Sequence, residues 1–288
     1  MRIFDPHVHM TSRTTDDYES MAAVGVTALV EPAFWLGQPR TGVGSFVDYF
    51  DSLIGWERFR AAQFGIRHHC ALALNPKEAN DPRCAEVVDL LPRYLAKDGV
   101  VAVGEVGYDS MTPEEDDAFA RQLELAVAHD LPALVHTPHR DKHAGTLRTL
   151  DVVRESGLPP ERVVVDHLNE VTVRAVKDSG CWAGFSIYPD TKMDERRMVA
   201  ILREYGTERV LVNSAADWGR SDPLKTYRTG RAMLDAGFDQ SDVDAVLWHN
   251  PVAFYGQSGR LVLDGPEAPS TFAGNSILRG TPAGGGGS

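Results

Sequence analysis

Cysteines and long apolar runs are scarce in this chain of 288 residues, and each scarcity excludes a class of protein. The three cysteines, Cys70, Cys84 and Cys181, are widely separated and form none of the close pairs that a structural zinc knuckle needs. They indicate small apolar side chains in a reducing compartment. No apolar run approaches the roughly 20 residues of a membrane span, and no signal-like segment follows Met1. The sequence therefore predicts a cytoplasmic protein with no membrane partner.

Positively charged residues are also scarce. The chain has 29 lysines and arginines and 41 aspartates and glutamates, which give a net charge of −12. A surface that grips nucleic acid through many phosphates gains its affinity from displaced counterions, so this balance argues against such a surface. A local basic patch, or metal ions that supply positive charge, remains compatible with it.

Strand-like segments alternate with helix-like segments along the whole chain. Eight segments are rich in β-branched residues and bounded by Gly, Pro or Asp. They are Arg2–Val8, Thr27–Glu31, His69–Leu74, Val100–Val106, Ala133–His136, Arg162–Asp166, Trp182–Ile187 and Arg209–Asn213. Several are continuously apolar, as strands covered on both faces are. Between them, Thr112-Pro113-Glu114-Glu115 has the N-cap, first-turn proline and capping-box glutamate of a helix start.

This alternation predicts an α/β fold, either a closed TIM (β/α)8 barrel or an open doubly wound sheet. A barrel typically needs about 250 residues, which would use nearly all of this chain. We therefore predict one barrel domain over residues 1–264. Residues 265–288 turn to Gly, Pro, Ser and Thr, and we expect a disordered tail there.

Metal-capable side chains fall at the C-terminal ends of the predicted strands, which is the end where TIM barrels carry their active sites. His7 and His9 end the first strand, and a two-residue period would point both imidazoles the same way. His136 ends the fifth strand and His167 follows the sixth. Each histidine alone could be a core or helix-cap residue, but four strand-end histidines in register favour the barrel and a metal site.

Two acidic residues complete the candidate site. Glu105 follows an apolar run on the fourth strand, where a carboxylate is costly to bury unless cations surround it. Its two oxygens could bridge two ions, although a helix cap or an arginine partner would also explain it. Asp217 follows the eighth strand and is a candidate ligand and proton acceptor. No Gly-x-Ser-x-Gly or Cys-His arrangement is present, which leaves water as the attacking group.

With these residues the chain resembles a known family, the TatD-related metal-dependent hydrolases of the amidohydrolase superfamily. The resemblance extends to about Leu261, and its motifs include the Gly-Glu-x-Gly-x-Asp stretch around Glu105 combined with His-x-His. The matching segments are Asp5-Pro6-His7-Val8-His9, Leu74-Asn75-Pro76, Gly104 to Asp109, His136-Thr137, Asp166-His167, Gly184-Phe185-Ser186, Asp217 and Asn250 to Gly256.

The resemblance implies a TIM barrel with two divalent ions. One ion would be held by His7, His9, Glu105 and Asp217, and the other by Glu105, His136 and His167. Zn or Mn would be the most fitting ion, and Mg, Fe or Co would also suit histidine and carboxylate ligands. Glu105 and Asp217 would be the catalytic residues.

The chain departs from the DNase members of the family near three of these positions. Pro138 and His139 precede Arg140 after the fifth strand, Leu168-Asn169-Glu170 follows His167, and Asn213 to Ala216 precede Asp217. These changes leave the predicted ligands in place and bear on the substrate.

We expect a small anionic substrate or the end of a nucleic acid. A basic cluster follows the fifth strand, from His139 to Arg148, and part of it could face an anion or simply be a solvated helix start. From it we select Arg140 and His139, together with Tyr108, as predicted substrate contacts.

The predicted reaction is hydrolysis of a phosphodiester, a phosphate ester or a lactone by a metal-activated water. Two alternatives stay open: a hydrolase of small metabolites instead of a nuclease, and a metal-binding partner in a biosynthetic assembly that has no hydrolytic activity.

Overall fold

The computed structural model describes residues 1–264, so the predicted tail at 265–288 lies outside the described residues. Eight parallel strands form a single sheet in the order in which they occur along the chain. The strands are β1 (Ile3–Asp5), β2 (Val26–Pro32), β3 (Arg67–Leu72), β4 (Val100–Gly107), β5 (Ala133–His136), β6 (Val163–Val165), β7 (Trp182–Ser186) and β8 (Val210–Asn213). The sheet curls into a nearly closed barrel, because the loop after β8 hydrogen-bonds to the loop after β1 through Ala215 N to His7 O, 2.9 Å.

Helices connect the strands and surround the barrel. The α-helices of the described part are α1 (Thr15–Ala23), α2 (Val43–Asp51), α3 (Arg58–Ala62), α4 (Pro76–Ala79), α5 (Val87–Leu95), α6 (Pro113–Ala128), α7 (Lys142–Ser156), α8 (Val173–Ser179), α9 (Glu195–Tyr205), α10 (Lys225–Asp235), α11 (Gln240–Asp244) and α12 (Asn250–Gly256). Three 3-10 turns and two π-helical segments complete the connections: Met10–Ser12, Pro82–Cys84, Pro160–Arg162, Ser52–Glu57 and Ala245–His249. The TIM-barrel prediction is confirmed.

All eight predicted strands are present, but some of their ends differ. The first strand stops at Asp5, so His7 and His9 lie in the loop beyond it and not on the strand itself. The alternation of strand side chains therefore does not explain how these two histidines come together. Backbone hydrogen bonds to the loop after β8 hold this segment, with His9 N donating to Ala216 O at 2.8 Å.

The predicted helix start at Thr112 is confirmed, and its glutamate has an additional role. Thr112 Oγ1 accepts a hydrogen bond from Glu115 N at 3.2 Å, which caps α6. The buried Glu115 carboxylate accepts hydrogen bonds from three backbone amides of the loop after β4, at Asp109, Ser110 and Met111. Glu115 therefore fixes the loop that follows Glu105.

The barrel interior is filled by apolar side chains to which every strand contributes. The buried members of this cluster are Phe4, Ala28, Val30, Ala71, Val101, Ala102, Leu134, Val164, Trp182, Leu211, Phe254 and Tyr255. Phe254 and Tyr255 come from α12, and their rings contact Trp182 and Phe4 at the starts of β7 and β1. The Tyr255 hydroxyl donates to Pro6 O at 2.7 Å. Helix α12 thus closes the end of the barrel where the strands begin and leaves the opposite end free for a site.

The scarce cysteines are buried and free, as small apolar side chains would be. Among residues 1–264, no helix combines the length and the apolar character needed to cross a bilayer. The assignment of residues 1–264 to one domain stays a prediction.

We predict that Phe254→Ala lowers the free energy of unfolding by about 3–5 kcal/mol, because it removes a fully buried ring and leaves a cavity at the closed end of the barrel. Urea unfolding followed by circular dichroism measures the change. Val171→Ala is the matched control, because Val171 is 63% exposed and should change stability by less than about 0.5 kcal/mol. A loss of stability no larger than that of the control would contradict this role for α12.

Candidate metal centre

Five of the six predicted ligands converge at the C-terminal end of the barrel. His7, His9 and Glu105 form one group with metal-binding geometry, and Glu105, His136 and His167 form a second. The ligand atoms of each group lie within 4.8 Å of one another, and all five side chains are buried. A third group, His7, Asp166 and His167, overlaps both. Glu105 is the side chain that the first two groups share.

The Glu105 carboxylate is the centre of this arrangement. Its Oε1 atom lies 2.9 Å from His136 Nδ1, 2.9 Å from His167 Nε2 and 3.8 Å from His7 Nε2. The other oxygen, Oε2, accepts a hydrogen bond from Asn75 Nδ2 at 2.9 Å. Burial by itself would raise the pKa of Glu105, but the neighbouring His136 and the hydrogen bonds hold that pKa well below its usual range. The carboxylate is therefore ionised and available to cations.

His7 is oriented by Asp166, which directly follows β6. His7 Nδ1 lies 2.6 Å from Asp166 Oδ2, so the imidazole donates on that side and presents Nε2 to the site. His7 Nε2 lies 3.0 Å from His9 Nε2. Asn213 Nδ2 donates to both Asp166 oxygens, at 3.1 and 3.0 Å. A carboxylate behind a histidine is the usual device that fixes the tautomer and ring orientation of a metal ligand.

His167 reaches the site because the backbone turns sharply at this residue. Its φ of 61° lies in the left-handed region, which non-glycine residues occupy rarely. In an extended strand, adjacent side chains point to opposite faces. The turn allows Asp166 to contact His7 while its neighbour His167 contacts Glu105. His167 Nδ1 is held from behind by Ser186 Oγ at 2.7 Å.

The residues fit divalent ions by their chemistry. Two imidazole nitrogens 3.0 Å apart match the separation of roughly 3 Å that neighbouring ligands have when each is about 2.0–2.1 Å from one ion. Burial lowers the pKa values of His9 and His167, so both rings are neutral at pH 7 with a lone pair to donate. Several buried imidazole nitrogens lie close to the Glu105 Oε1 atom. Bound cations would accept the lone pairs of these nitrogens and of this oxygen.

Asp217 is placed differently from the other predicted ligands. Among residues 1–264 it belongs to none of the groups with metal-binding geometry, and its side chain is half-buried. Its Oδ1 atom accepts hydrogen bonds from the Tyr188 hydroxyl at 2.8 Å and from Gly219 N at 2.7 Å. The role of Asp217 as a ligand stays a prediction, and the structure orients its carboxylate through Tyr188.

The predicted substrate contacts also have distinct positions. His139 is at the rim, with its ring 6.2 Å from that of His136 and 6.4 Å from that of His167. Arg140 is exposed next to it. Tyr108 is fully buried and its hydroxyl donates to Asp116, so this hydroxyl is already engaged by a carboxylate. The binding roles of these three residues stay predictions.

Several residues at the site were not selected from the sequence, and three of them contact the ligands from different sides. Asp166 lies behind His7, Asn75 donates to Glu105, and Lys192 places its ammonium 3.1 Å from His167 Nδ1. Asp166 and Asn75 occur within the segments that carry the family resemblance, so motif position could have indicated them. Lys192 follows β7 in a polar loop, and no feature of the local sequence distinguishes it from a surface lysine.

A comparison with protein-family models matches residues 4–240 to the family described as TatD related DNase. The chain belongs to this family. The TatD-related assignment made from the motifs is therefore confirmed, and with it the interpretation that the chain is a metal-dependent hydrolase.

Two curated relatives of this TatD-related hydrolase carry the same description. An uncharacterized metal-dependent hydrolase of Methanocaldococcus jannaschii is 27% identical over 259 residues, which cover 88% of this chain and 99% of the relative. The uncharacterized metal-dependent hydrolase TatD of Mycobacterium tuberculosis is 31% identical over 172 residues, which cover 54% of this chain and 57% of that protein.

Solved structures support the same fold. A TatD-like protein from Archaeoglobus fulgidus superposes with a TM-score of 0.73 at 26% identity, covering 88% of this chain and 99% of the other. The phosphotriesterase homology protein from Escherichia coli gives a TM-score of 0.64 at 16% identity, covering 88% and 98% of the two chains. At that identity the second likeness concerns the fold alone.

We predict that Glu105→Ala abolishes metal loading and turnover together, because it removes the one ligand shared by both groups. Metal affinity should fall by at least about 100-fold. Saturation with metal at 100 times the wild-type Kd should add about 2.7 kcal/mol to the unfolding free energy of the wild type and almost nothing to the variant. Elemental analysis and metal titration of thermal unfolding measure both effects. Glu114→Ala is the control, because Glu114 is exposed on the first turn of α6. An active, metal-loaded Glu105→Ala protein would refute the assignment.

Asp166→Asn should weaken metal binding by about 10–100-fold. The neutral amide has one acceptor oxygen, so it cannot accept from both His7 Nδ1 and His167 N as the two carboxylate oxygens do, and it no longer supplies a negative charge behind the His7 ring. Competition against a chelating dye measures the affinity. Asp178→Asn, on the exposed side of α8, serves as the matched control. Equal affinities for the Asp166 variant and the control would show that Asp166 does not orient the ligand.

Proposed function

We propose that this TatD-related hydrolase binds two divalent ions and hydrolyses a phosphoester. The observation that carries the proposal is the pair of histidine groups that share Glu105. His7, His136 and His167 all approach the Oε1 atom of this carboxylate, and His9 lies next to His7 at 3.0 Å. Each group then offers about three protein ligands, which is the number that leaves positions open for water and substrate.

Zn or Mn fits this set of imidazole and carboxylate ligands best, and Mg, Fe or Co is compatible with it. When bound, such ions supply Lewis acidity and bring the pKa of a water molecule toward 7. The protein's own contribution is to hold the ligands in one rigid arrangement through Asp166, Ser186 and Asn75.

Asp217 is the proposed proton acceptor. Both hydrogen bonds that the structure gives this carboxylate go to Oδ1, so within the described residues Oδ2 keeps its lone pairs for a proton. Tyr188 fixes the direction of the carboxylate. In the proposed reaction, water attacks the electrophilic phosphorus, Asp217 Oδ2 takes its proton and the ester oxygen leaves.

The surroundings favour a small anionic substrate or the end of a nucleic acid over a long polyanion. The net charge of −12 opposes extended contact with many phosphates. His139 and Arg140 lie at the rim and are proposed to contact the anion. A lactone is the second substrate class compatible with the same ligands, and a binding role without hydrolysis is the alternative from another functional class.

We predict that Asp217→Asn lowers kcat by about 10²–10⁴-fold while the ions held by Glu105, His136 and His167 stay bound, because Asp217 lies outside that group. The measurement is turnover of the Zn- or Mn-loaded protein against a panel of phosphomonoesters, phosphodiesters and lactones. Glu105→Ala serves as the blank for contaminating activity. The wild type should act on phosphoesters with a weak dependence on salt, since few phosphates are contacted.

Other results would decide against the proposal. Turnover of lactones alone would show that the bond cleaved is a lactone ester and not a phosphoester. Persistent inactivity with two ions bound would support the metal-binding role without hydrolysis. A steep loss of substrate binding with rising salt would indicate a nuclease that grips several phosphates.

A further inference from the structure

Two lysine ammoniums reach the metal centre from the side formed by β5, β6 and β7. Lys192 Nζ lies 3.1 Å from His167 Nδ1. Lys142 Nζ donates to Thr137 Oγ1 at 2.8 Å and to Thr137 O at 3.1 Å, directly after the ligand His136. Thr137 in turn donates to Asp166 O at 2.7 Å, which ties this lysine to the loop that carries His167. Both cations are therefore adjacent to the ligands of the second group.

Neither ammonium is paired with an acid. Within residues 1–264, Lys142 and Lys192 form no direct ion pair with a carboxylate, although both side chains are partly buried. Elsewhere the lysines near the site are neutralised, as Lys77 is by Asp109 at 2.9 Å. Glu105, Asp166 and Asp217 attract Lys192 at longer range and Asp166 attracts Lys142, but no carboxylate occupies the N–H groups of either ammonium directly, so both can donate to an anion that enters the site.

Metal ligation would free Lys192 for such an anion. A neutral imidazole carries one proton, so when His167 Nε2 donates its lone pair to an ion, Nδ1 must carry the proton. Lys192 then has no acceptor at Nδ1, whereas Ser186 Oγ can accept from it at 2.7 Å. Among residues 1–264, the ammonium would therefore lose the acceptor that His167 gives it once the imidazole holds an ion.

We infer that Lys142 and Lys192 form a subsite for the terminal phosphate of a phosphomonoester, next to the ligands His136 and His167. This inference rests on the proposed function and names its substrate class. A terminal phosphate carries a charge of about −1.5 to −2 and three acceptor oxygens, whereas an internal phosphodiester carries a single charge. Two ammoniums beside a metal centre match the larger charge.

The test measures binding of inorganic phosphate and of dimethyl phosphate to the full-length, metal-loaded protein by calorimetry. Wild type should bind phosphate more tightly than dimethyl phosphate. Lys142→Gln and Lys192→Gln should each weaken phosphate binding by about 10–100-fold. The variant with both substitutions should lose most of the preference for phosphate over dimethyl phosphate. Lys97→Gln is the matched control, because Lys97 is exposed just before β4, at the end of the barrel away from the site.

Metal content, measured by elemental analysis, separates a substrate contact from a structural role. The inference predicts unchanged metal content in both lysine variants. The inference is overturned if the lysine variants bind phosphate as tightly as the wild type does. It is also overturned if the affinities for phosphate and dimethyl phosphate fall equally, or if either variant loses metal. These results do not depend on turnover, so an inactive wild type that still prefers phosphate would contradict the proposed reaction and leave the subsite supported.

Discussion

One buried carboxylate oxygen organises the functional end of this protein. Glu105 Oε1 lies within hydrogen-bonding distance of imidazole nitrogens of both His136 and His167, and a third, that of His7, lies slightly farther away. Such a carboxylate is stable in the interior only because several polarisable or positively charged groups surround it. The other features of the site, including the aspartate behind His7 and the asparagine on Oε2, keep this oxygen and its neighbours in place.

The two ends of the barrel differ in role: one end is packed with apolar side chains, and the other carries the polar side chains of the site. At the end where the strands begin, the aromatic rings of α12 fill the interior and close it. At the other end the interior positions are polar and supply Asp166, Asn213 and the ligands. A packed core at one end gives the rigidity that a preformed metal centre needs at the other, where few apolar contacts are available.

Charge is also distributed unevenly between the whole chain and the site. The chain is acidic overall, yet in the described part of the chain Lys142 and Lys192 lie beside the metal centre without a direct ion pair to a carboxylate. A positive centre in an acidic protein attracts a compact anion and discourages a long polyanion. The net charge of the chain therefore differs in sign from the charge around the site.

The sequence by itself determined the fold class, the eight strands and the side chains that meet at their C-terminal ends, because strand periodicity and the geometry of a parallel barrel are local rules applied repeatedly. The family motifs determined the hydrolase assignment in the same way. Only the tertiary structure decided that His7 and His9 converge from a loop and that Asp217 faces Tyr188. It also decided that Lys192 contacts His167 and Lys142 contacts Thr137, while Arg140 stays exposed. These outcomes depend on loop conformations and on contacts between segments far apart in the chain, which no periodicity encodes.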